Sequence, residues 1–391
     1  MKPKAVSQLV RGRFSEQLVK EAAIALREKL GQNPTLGILF VSVDYIEHIN
    51  DVLEIIRLNA RVPLLTGCST QGIIGTNEES EAQSGFSLLL LSLPDCQVKA
   101  VPFTQAMIEE ATVADYWYEK TGLKPDDVKA WLVFADPFTC QLDDWLKSWN
   151  RAYPGVPCLG GLACGPTQSA ESWLFLNDGL VEHGIAIALS GAIHIETVVS
   201  QGCKPIGEPL TVTHAEENYL LTIGSKPAFE VLNDVYQSLT DDERQKARGH
   251  LVAGLALNEY VEDFKQGDFI VRNILAADPS SGAVAINALP RVGQTMQYHL
   301  RDASAAAADL TALLDKAQKK KKFKPFAGIL CNCNGRGREL FTVPNHDAHL
   351  INEHFPNLPL AGFFANGEVG PIGHQNFIHS FTASLALFSE I

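Results

Sequence analysis

One phrase written three times constrains this chain more than anything else in it: Pro63-Leu-Leu-Thr-Gly-Cys-Ser-Thr-Gln-Gly72, Pro157-Cys-Leu-Gly-Gly-Leu-Ala-Cys-Gly165 and Pro359-Leu-Ala-Gly-Phe-Phe-Ala-Asn-Gly367. A proline opens each copy, and a first glycine is followed by a second five residues on. Glycine permits conformations and close approaches that a Cβ forbids, so paired glycines after a short apolar run predict a shaped turn that recurs. An apolar strand-like run lies upstream of every copy (Leu36 to Val43, Ala130 to Ala135, Phe326 to Cys331), and an amphipathic stretch joins it to the proline. Another strand-like run follows (Phe86 to Leu93, Gly184 to Leu189, Phe377 to Phe388). The unit reads strand, helix, strand with a Gly-rich end, strand, and its period is too long for a solenoid. The expectation is a mixed α/β (α+β) fold of two related halves built from this unit, with helices packed on β-sheets.

A chain of 391 residues exceeds what one hydrophobic core usually serves, and 46% hydrophobic content is ample for two. The Pro- and Gly-rich stretch Gly202 to Leu210 sets the expected boundary, giving domains 1–207 and 208–391. A net charge of −13 argues against binding nucleic-acid phosphates, which requires a basic surface. The run Lys319 to Lys322 reads as a solvated end of the alanine-rich helix Ala303 to Ala317, its cations near the negative helix terminus. No apolar stretch approaches the roughly 20 residues that cross a bilayer, and Met1 to Leu30 has no secretory apolar core. The eight cysteines form no Cys-x-x-Cys pair, so free thiols in a reducing cytoplasm are expected. Neither a phosphate-binding Gly-x-x-x-x-Gly-Lys-Ser/Thr nor a dinucleotide fingerprint is present, which sets nucleotide hydrolysis and NAD chemistry aside.

Gly67-Cys-Ser-Thr-Gln-Gly72 resembles the signature of FIST domains. The second half resembles their C-terminal partner through Val212-Thr-x-Ala215, Lys226-Pro-Ala228, Val271-Arg-Asn-Ile274, Cys333-Asn-Gly-Arg-Gly337 and Gly362-Phe-Phe-Ala-Asn-Gly-Glu-Val-Gly370. The resemblance implies a sensory or signal-transduction protein that binds a small ligand, an amino acid being the usual suggestion. With no recognisable output domain in the sequence, a signal would pass to a separate protein partner. It also implies an alternative, a haem-dependent nitric oxide sensor; otherwise no cofactor is expected.

The residues themselves point to a site in the third copy. Cys333, Asn334 and Arg336 follow one strand, while Asn366, Gly367 and Glu368 end the next, and ligand crevices form at such carboxyl ends of neighbouring parallel strands. Arg336 offers a fork for a carboxylate and Glu368 a charge for an ammonium group. The two could equally bridge each other or face solvent. Arg272 and Ser69 or Thr70 are further candidates, as hydrogen-bonding groups, and His374 as a ligand contact or axial haem ligand. Cys68 in its tight turn, or Glu368, would serve a third reading, an enzyme; no nearby histidine supplies a base for the thiol. His346 and His349, three apart on a helix beginning near Asn345, have metal-ligand spacing but read better as surface decoration.

Overall fold

The computed structural model describes all residues except Gln168, Glu262 and Lys322. The described residues form two compact units, one of Met1–Val199, Thr311–Ile378 and Thr382–Ile391, the other of Ser200–Leu310 and His379–Phe381. This partition differs from a single cut at 207/208, because the third copy of the phrase joins the first two in one unit.

The chain begins with β1 (Lys4–Arg11), α1 (Glu16–Leu30), β2 (Leu36–Ser42), α2 (Ile49–Ala60), β3 (Leu65–Thr70), the hairpin β4 (Gly72–Gly75) and β5 (Glu78–Glu81), and β6 (Gly85–Ser92). The Ser15 side chain caps α1 by accepting from Leu18 N, and Gly31 ends it at φ 65°. Its buried residues Val19, Ala22, Ala23, Leu26 and Leu30 recur at helical spacing on one face. The second copy brings β7 (Cys96–Phe103), α3 (Gln105–Glu110), α4 (Ala114–Thr121), β8 (Ala130–Ala135), α5 (Leu142–Ala152), β9 (Cys158–Leu162), the hairpin β10 (Leu174–Leu176) and β11 (Gly179–Val181), β12 (Gly184–Gly191), and then β13 (His194–Gln201).

The second unit comes next in the chain, with β14 (Cys203–Glu216), β15 (Tyr219–Ile223), β16 (Lys226–Pro227), α6 (Ala228–Ser238), α7 (Asp241–Ala247), β17 (Leu251–Ala256), β18 (Phe269–Ala277), β19 (Val284–Ile286) and β20 (Thr295–Arg301). Its sheet runs β14-β20-β17-β18-β19-β15-β16, and an additional β14–β15 pairing closes it on itself. The stretch 202–210, expected as the domain boundary, is strand from Cys203 onward and forms the start of β14. Cys203 to Ile206 pair with β20, and the register breaks between Ile206 and Leu210, where Gly207 sits at φ 66°. Paired on one side only there, the strand accommodates Pro205. The chain then runs through α8 (Ala303–Gln318), β21 (Pro325–Cys333), α9 (Arg338–Phe341), α10 (His346–His354), β22 (Leu360–Ala365), the hairpin β23 (Glu368–Ile372) and β24 (Gln375–His379), and β25 (Thr382–Ser389). Within the basic run, Lys320 bonds Glu196 at 2.6 Å and Lys319 lies 3.6 Å from Asp315, while Lys322 is outside the described residues.

The first unit obeys the repeat. In each copy the strand before the helix and the strand after it are parallel neighbours: β2 with β3, β8 with β9, β21 with β22. In each, the downstream strand returns antiparallel on the first: β6 on β2, β12 on β8, β25 on β21. The two halves of the chain are thus related by a shared unit, present twice before residue 207 and once after it. The hairpin following each phrase, which the sequence did not announce, crosses to another sheet. β4–β5 of the first copy pairs β22 of the third, β23–β24 of the third pairs β9 of the second, and β10–β11 of the second pairs β3 of the first. The exchange is cyclic and leaves three six-stranded sheets.

Alternation along the strands builds two kinds of core. Leu36, Ile38 and Phe40 of β2 and Ala130, Leu132 and Phe134 of β8 face a common centre, whereas Leu39, Val41, Trp131 and Val133 face the outer helices. At the centre Phe40 stacks on Phe363 with ring centroids 4.5 Å apart, and Phe134 meets both edge-on.

The first glycine of each phrase is paired in register with one residue of the preceding strand: Gly67 with Leu39, Gly160 with Val133, Gly362 with Leu330. A Cβ there would lie 1.7, 1.8 or 2.1 Å from that residue's carbonyl oxygen, a distance no side chain tolerates. Gly67→Ala, Gly160→Ala and Gly362→Ala should each destabilise the protein by about 3 kcal/mol in urea unfolding, by forcing backbone atoms apart. Gly179→Ala, where nothing lies within 4 Å, should leave the transition unchanged.

Candidate functional site

Four residues beyond the first glycine, the three phrases place Gln71, Cys164 and Asn366 at equivalent positions. The exchanged backbones bring them together. Cys164 N donates to Ser69 O at 3.0 Å, Asn366 N to Leu162 O at 3.0 Å, and Leu162 N to Gly367 O at 2.8 Å. Asn334, at the end of β21, donates its Nδ2 to Cys164 Sγ at 3.1 Å. The thiol itself donates to Phe364 O at 3.2 Å, and the backbone N–H groups of Gln71 and Asn366 approach the sulfur. Burial pushes the Cys164 thiol up to about 11, although the Asn334 amide and the Gln71 N–H favour the thiolate, so at neutral pH it is a thiol. Asn366 is exposed, and Asn334 and Gln71 are half-buried, so three amide side chains rim this junction.

Next to the rim lies a buried charged cluster. Arg336 is fully buried and grips Asp347 with two bonds, Nε to Oδ2 at 2.7 Å and Nη2 to Oδ1 at 3.0 Å. Asn332 Nδ2 donates to the same carboxylate at 2.9 Å. Burial alone would raise Asp347, but the Arg336 guanidinium holds its carboxyl well below the usual range, and Asp347 in turn raises Arg336 despite its burial. Glu368 is also fully buried, its Oε2 accepting from Thr382 N at 3.1 Å and its carboxyl bonded to Cys333. Burial raises it well above the usual carboxylate range, with Arg336 near enough to oppose the shift. The hairpin donated by the first copy contributes Glu79, whose Oε1 accepts from Ala348 N at 3.0 Å. Burial and the neighbouring Asp347 push Glu79 up to about 8. Four buried polar atoms of the cluster have no hydrogen-bond partner: Arg336 Nη1, Glu368 Oε1, Glu79 Oε2 and Asn332 Oδ1.

Arg336 therefore neither bridges Glu368 nor faces solvent; its partner is Asp347, which the sequence did not single out. Ser69 and Thr70 are buried and spend their hydroxyls on the turns, Ser69 Oγ donating to Cys164 O at 2.6 Å and Thr70 Oγ1 to Phe364 O at 2.8 Å. Arg272 belongs to the second unit, on β18, where its Nη1 donates to Val271 O at 3.1 Å. His374 is exposed and lines a different groove, of about 220 Å³, with Glu196, Lys320 and Asn376. That small polar groove does not fit a haem, whose site needs apolar walls for the macrocycle. Cys68 lies among the central aromatics, raised well above the usual thiol range by burial, and does not fit a nucleophile. Among the described residues no cluster of histidine, cysteine or carboxylate suits a metal, and no helix is long and apolar enough to cross a membrane. None of the eight cysteines is in a disulfide. The residues sequence reasoning passed over are Gln71, Cys164, Glu79 and Asp347; aligning the phrases on their first glycine exposes the first two.

Residues 35–226 match the FIST N domain and residues 228–371 the FIST C domain. The chain belongs to the FIST family. The family boundary falls between 226 and 228, inside the second compact unit. Similar proteins include an uncharacterised protein of Mycobacterium tuberculosis, 34% identical over 372 residues that cover 95% of both chains. Another, from Mycobacterium bovis, is 33% identical over 377 residues covering 96% of both. Among solved structures, cyanuric acid hydrolase from A. caulinodans aligns over 100% of this chain and 99% of its own, with 10% identity and a TM-score of 0.37.

Two expectations test the cluster. Glu79 binds a proton more tightly folded than unfolded, so its contribution to stability is full below the ordinary glutamate value of 4.5 and is lost as pH rises through about 8. Urea stability should therefore decline between about pH 4.5 and 8, and Glu79→Gln should flatten that decline. Asp347→Asn leaves the Arg336 charge buried and unpaired and should destabilise the protein by about 3–5 kcal/mol at pH 7.

Proposed function

We propose that this FIST protein is a cytoplasmic sensor that binds a small polar ligand where its three repeats meet and signals through a separate protein. The observation that carries this reading is the set of four buried, unpartnered polar atoms around Arg336. Such atoms are costly to leave unmade, at about 1–3 kcal/mol each, and are retained where something else satisfies them. Arg336 Nη1 is a donor suited to a carboxylate, and Glu368 Oε1 is an acceptor suited to an ammonium group. An amino acid carries both groups on one carbon. The amides of Gln71, Asn334 and Asn366 at the rim supply the neutral hydrogen bonds that orient such a ligand. The cytoplasmic assignment is supported by eight cysteines held as thiols, none in a disulfide.

Thermal-shift screening of amino acids and small carboxylates identifies the ligand, since anything that binds only the folded state raises the melting temperature. Calorimetry with that ligand then tests the site. Glu368→Gln and Asn366→Ala, neither of which disturbs the Arg336–Asp347 pair, should weaken binding about ten- to a hundredfold for the buried residue and less for the exposed one. Unchanged affinity in both variants would place the ligand elsewhere.

A further inference from the structure

Six of the chain's 32 lysines and arginines fall within nine consecutive positions, 316–324, although its net charge is −13. The run goes from the last turn of α8 to the residue before β21, within the first unit. Its described lysines, Lys316, Lys319, Lys320, Lys321 and Lys324, are all exposed. The backbone that carries them is fixed. Lys319 N donates to Asp315 O at 3.1 Å, Lys320 N to Ala317 O at 3.2 Å and Phe323 N to Lys320 O at 3.2 Å. Gln318 Nε2 ties the helix end to α10 by donating to His354 O at 2.8 Å. The Phe323 ring sits edge-on to His194 and to Phe355, with centroids 6.2 Å away in both cases. A surface held in one conformation loses little entropy when something binds it.

The acids on the elements packed against the run can be counted. On α8, Asp315 lies 3.6 Å from Lys319 and 3.3 Å from His354 Nε2, while Asp309 accepts from Ser200 Oγ at 2.8 Å. On β13, Glu196 is held by Lys320 at 2.6 Å. On α10, Asp347 is bound by Arg336, and Glu353 lies 3.5 Å from His349 Nε2. Glu390 is exposed just past Ser389, which pairs with Pro325. No acid among the described residues forms an ion pair with Lys316, Lys321 or Lys324. Five lysines thus stand against Asp315, Glu196 and Glu390, an excess of two positive charges before Lys322 is counted.

Outside the run the chain is more acidic still than its net charge, so an extended polyanion such as duplex nucleic acid is repelled beyond the patch. Phe323, the run's one aromatic residue, is half-buried against two other rings, which leaves nothing to stack on bases or to insert among lipid chains. A short acidic stretch of polypeptide covers the lysines without meeting the acidic surface around them. We propose that this lysine surface, on the reading of the chain as a sensor with a separate partner, docks an acidic segment of that partner. The attraction is long-ranged and screened by salt.

The probe is a fluorescein-labelled oligoglutamate of about eight residues, roughly 26 Å long when extended, followed by fluorescence anisotropy with the full chain and no small ligand present. Saturable binding at low ionic strength, weakened about tenfold or more between roughly 0.05 and 0.5 M salt, is the expected result. Lys319→Glu/Lys321→Glu/Lys324→Glu, which leaves the Lys320–Glu196 bond in place, should weaken it by about tenfold or more. Lys20→Glu/Lys120→Glu/Lys124→Glu, exposed lysines elsewhere with the same change in net charge, should keep it within about threefold. Glu368→Gln should bind the peptide unchanged, so failure of the junction site and failure of this surface are told apart. Absence of saturable binding by the unaltered protein, affinity indifferent to salt, or equal weakening in the two triple variants would overturn the proposal. So would an oligothymidylate of equal charge, or phosphatidylserine vesicles, binding as tightly as the peptide. The salt series uses the unaltered protein and stays decisive even where a variant fails to fold.

Discussion

Everything in the first unit hangs on how closely two backbones approach at Gly67, Gly160 and Gly362. With a hydrogen in place of a Cβ, the strand ending each phrase presses against the carbonyl of Leu39, Val133 or Leu330. That contact sets the exit direction of the chain, and the turn beyond it leaves its own sheet for the next. Only because all three turns leave in this way do Gln71, Cys164 and Asn366 converge. The site is therefore a by-product of sheet geometry: its members come from segments hundreds of residues apart, and a local steric rule places each of them.

The buried cluster beside the junction is electrostatically economical. Four ionisable groups lie out of water, yet only Arg336 and Asp347 need be charged at neutral pH, and they face each other in the bidentate geometry that best offsets desolvation. Glu79 and Glu368 are kept protonated by burial, which makes them donors as well as acceptors. A site of this kind can match a ligand's hydrogen bonds without a large change in net charge.

Much of this was legible in the sequence, and the limits have physical causes. The repeated phrase, the strand before it, the helix between and the returning strand were all visible, because hydrophobic periodicity and glycine spacing are local signals. The hairpins β4–β5, β10–β11 and β23–β24 were not, because strands of three to five residues paired across sheets are too short to carry a pattern. The Pro-rich stretch at 202–210 read as a boundary between domains, since proline content does not reveal that only one side of β14 is paired there. Arg336 and Glu368 stood out through their glycine-rich turns. Asp347 did not, being one of two acids on a short polar helix, and burial cannot be read from one residue's identity. Cys68 drew attention for its motif while Cys164, in the same relative frame as Gln71 and Asn366, held the position that joins the repeats.

The cyclic exchange of hairpins has a consequence for how the molecule comes into being. No copy of the repeat can complete its own sheet: the first waits for β10–β11, the second for β23–β24, and the third borrows β4–β5 from a segment made nearly three hundred residues earlier. A bond such as Thr70 to Phe364 spans 294 residues, so its loop entropy is met only when the last part of the chain is present. During synthesis β3 can be covered once the second copy supplies β10–β11, whereas β9 and the β4–β5 hairpin each leave the ribosome with an edge unpaired and remain so until the third copy emerges. The ring closes late, in its last two joints, and the exposure of β4–β5 to edge-to-edge association lasts for most of translation.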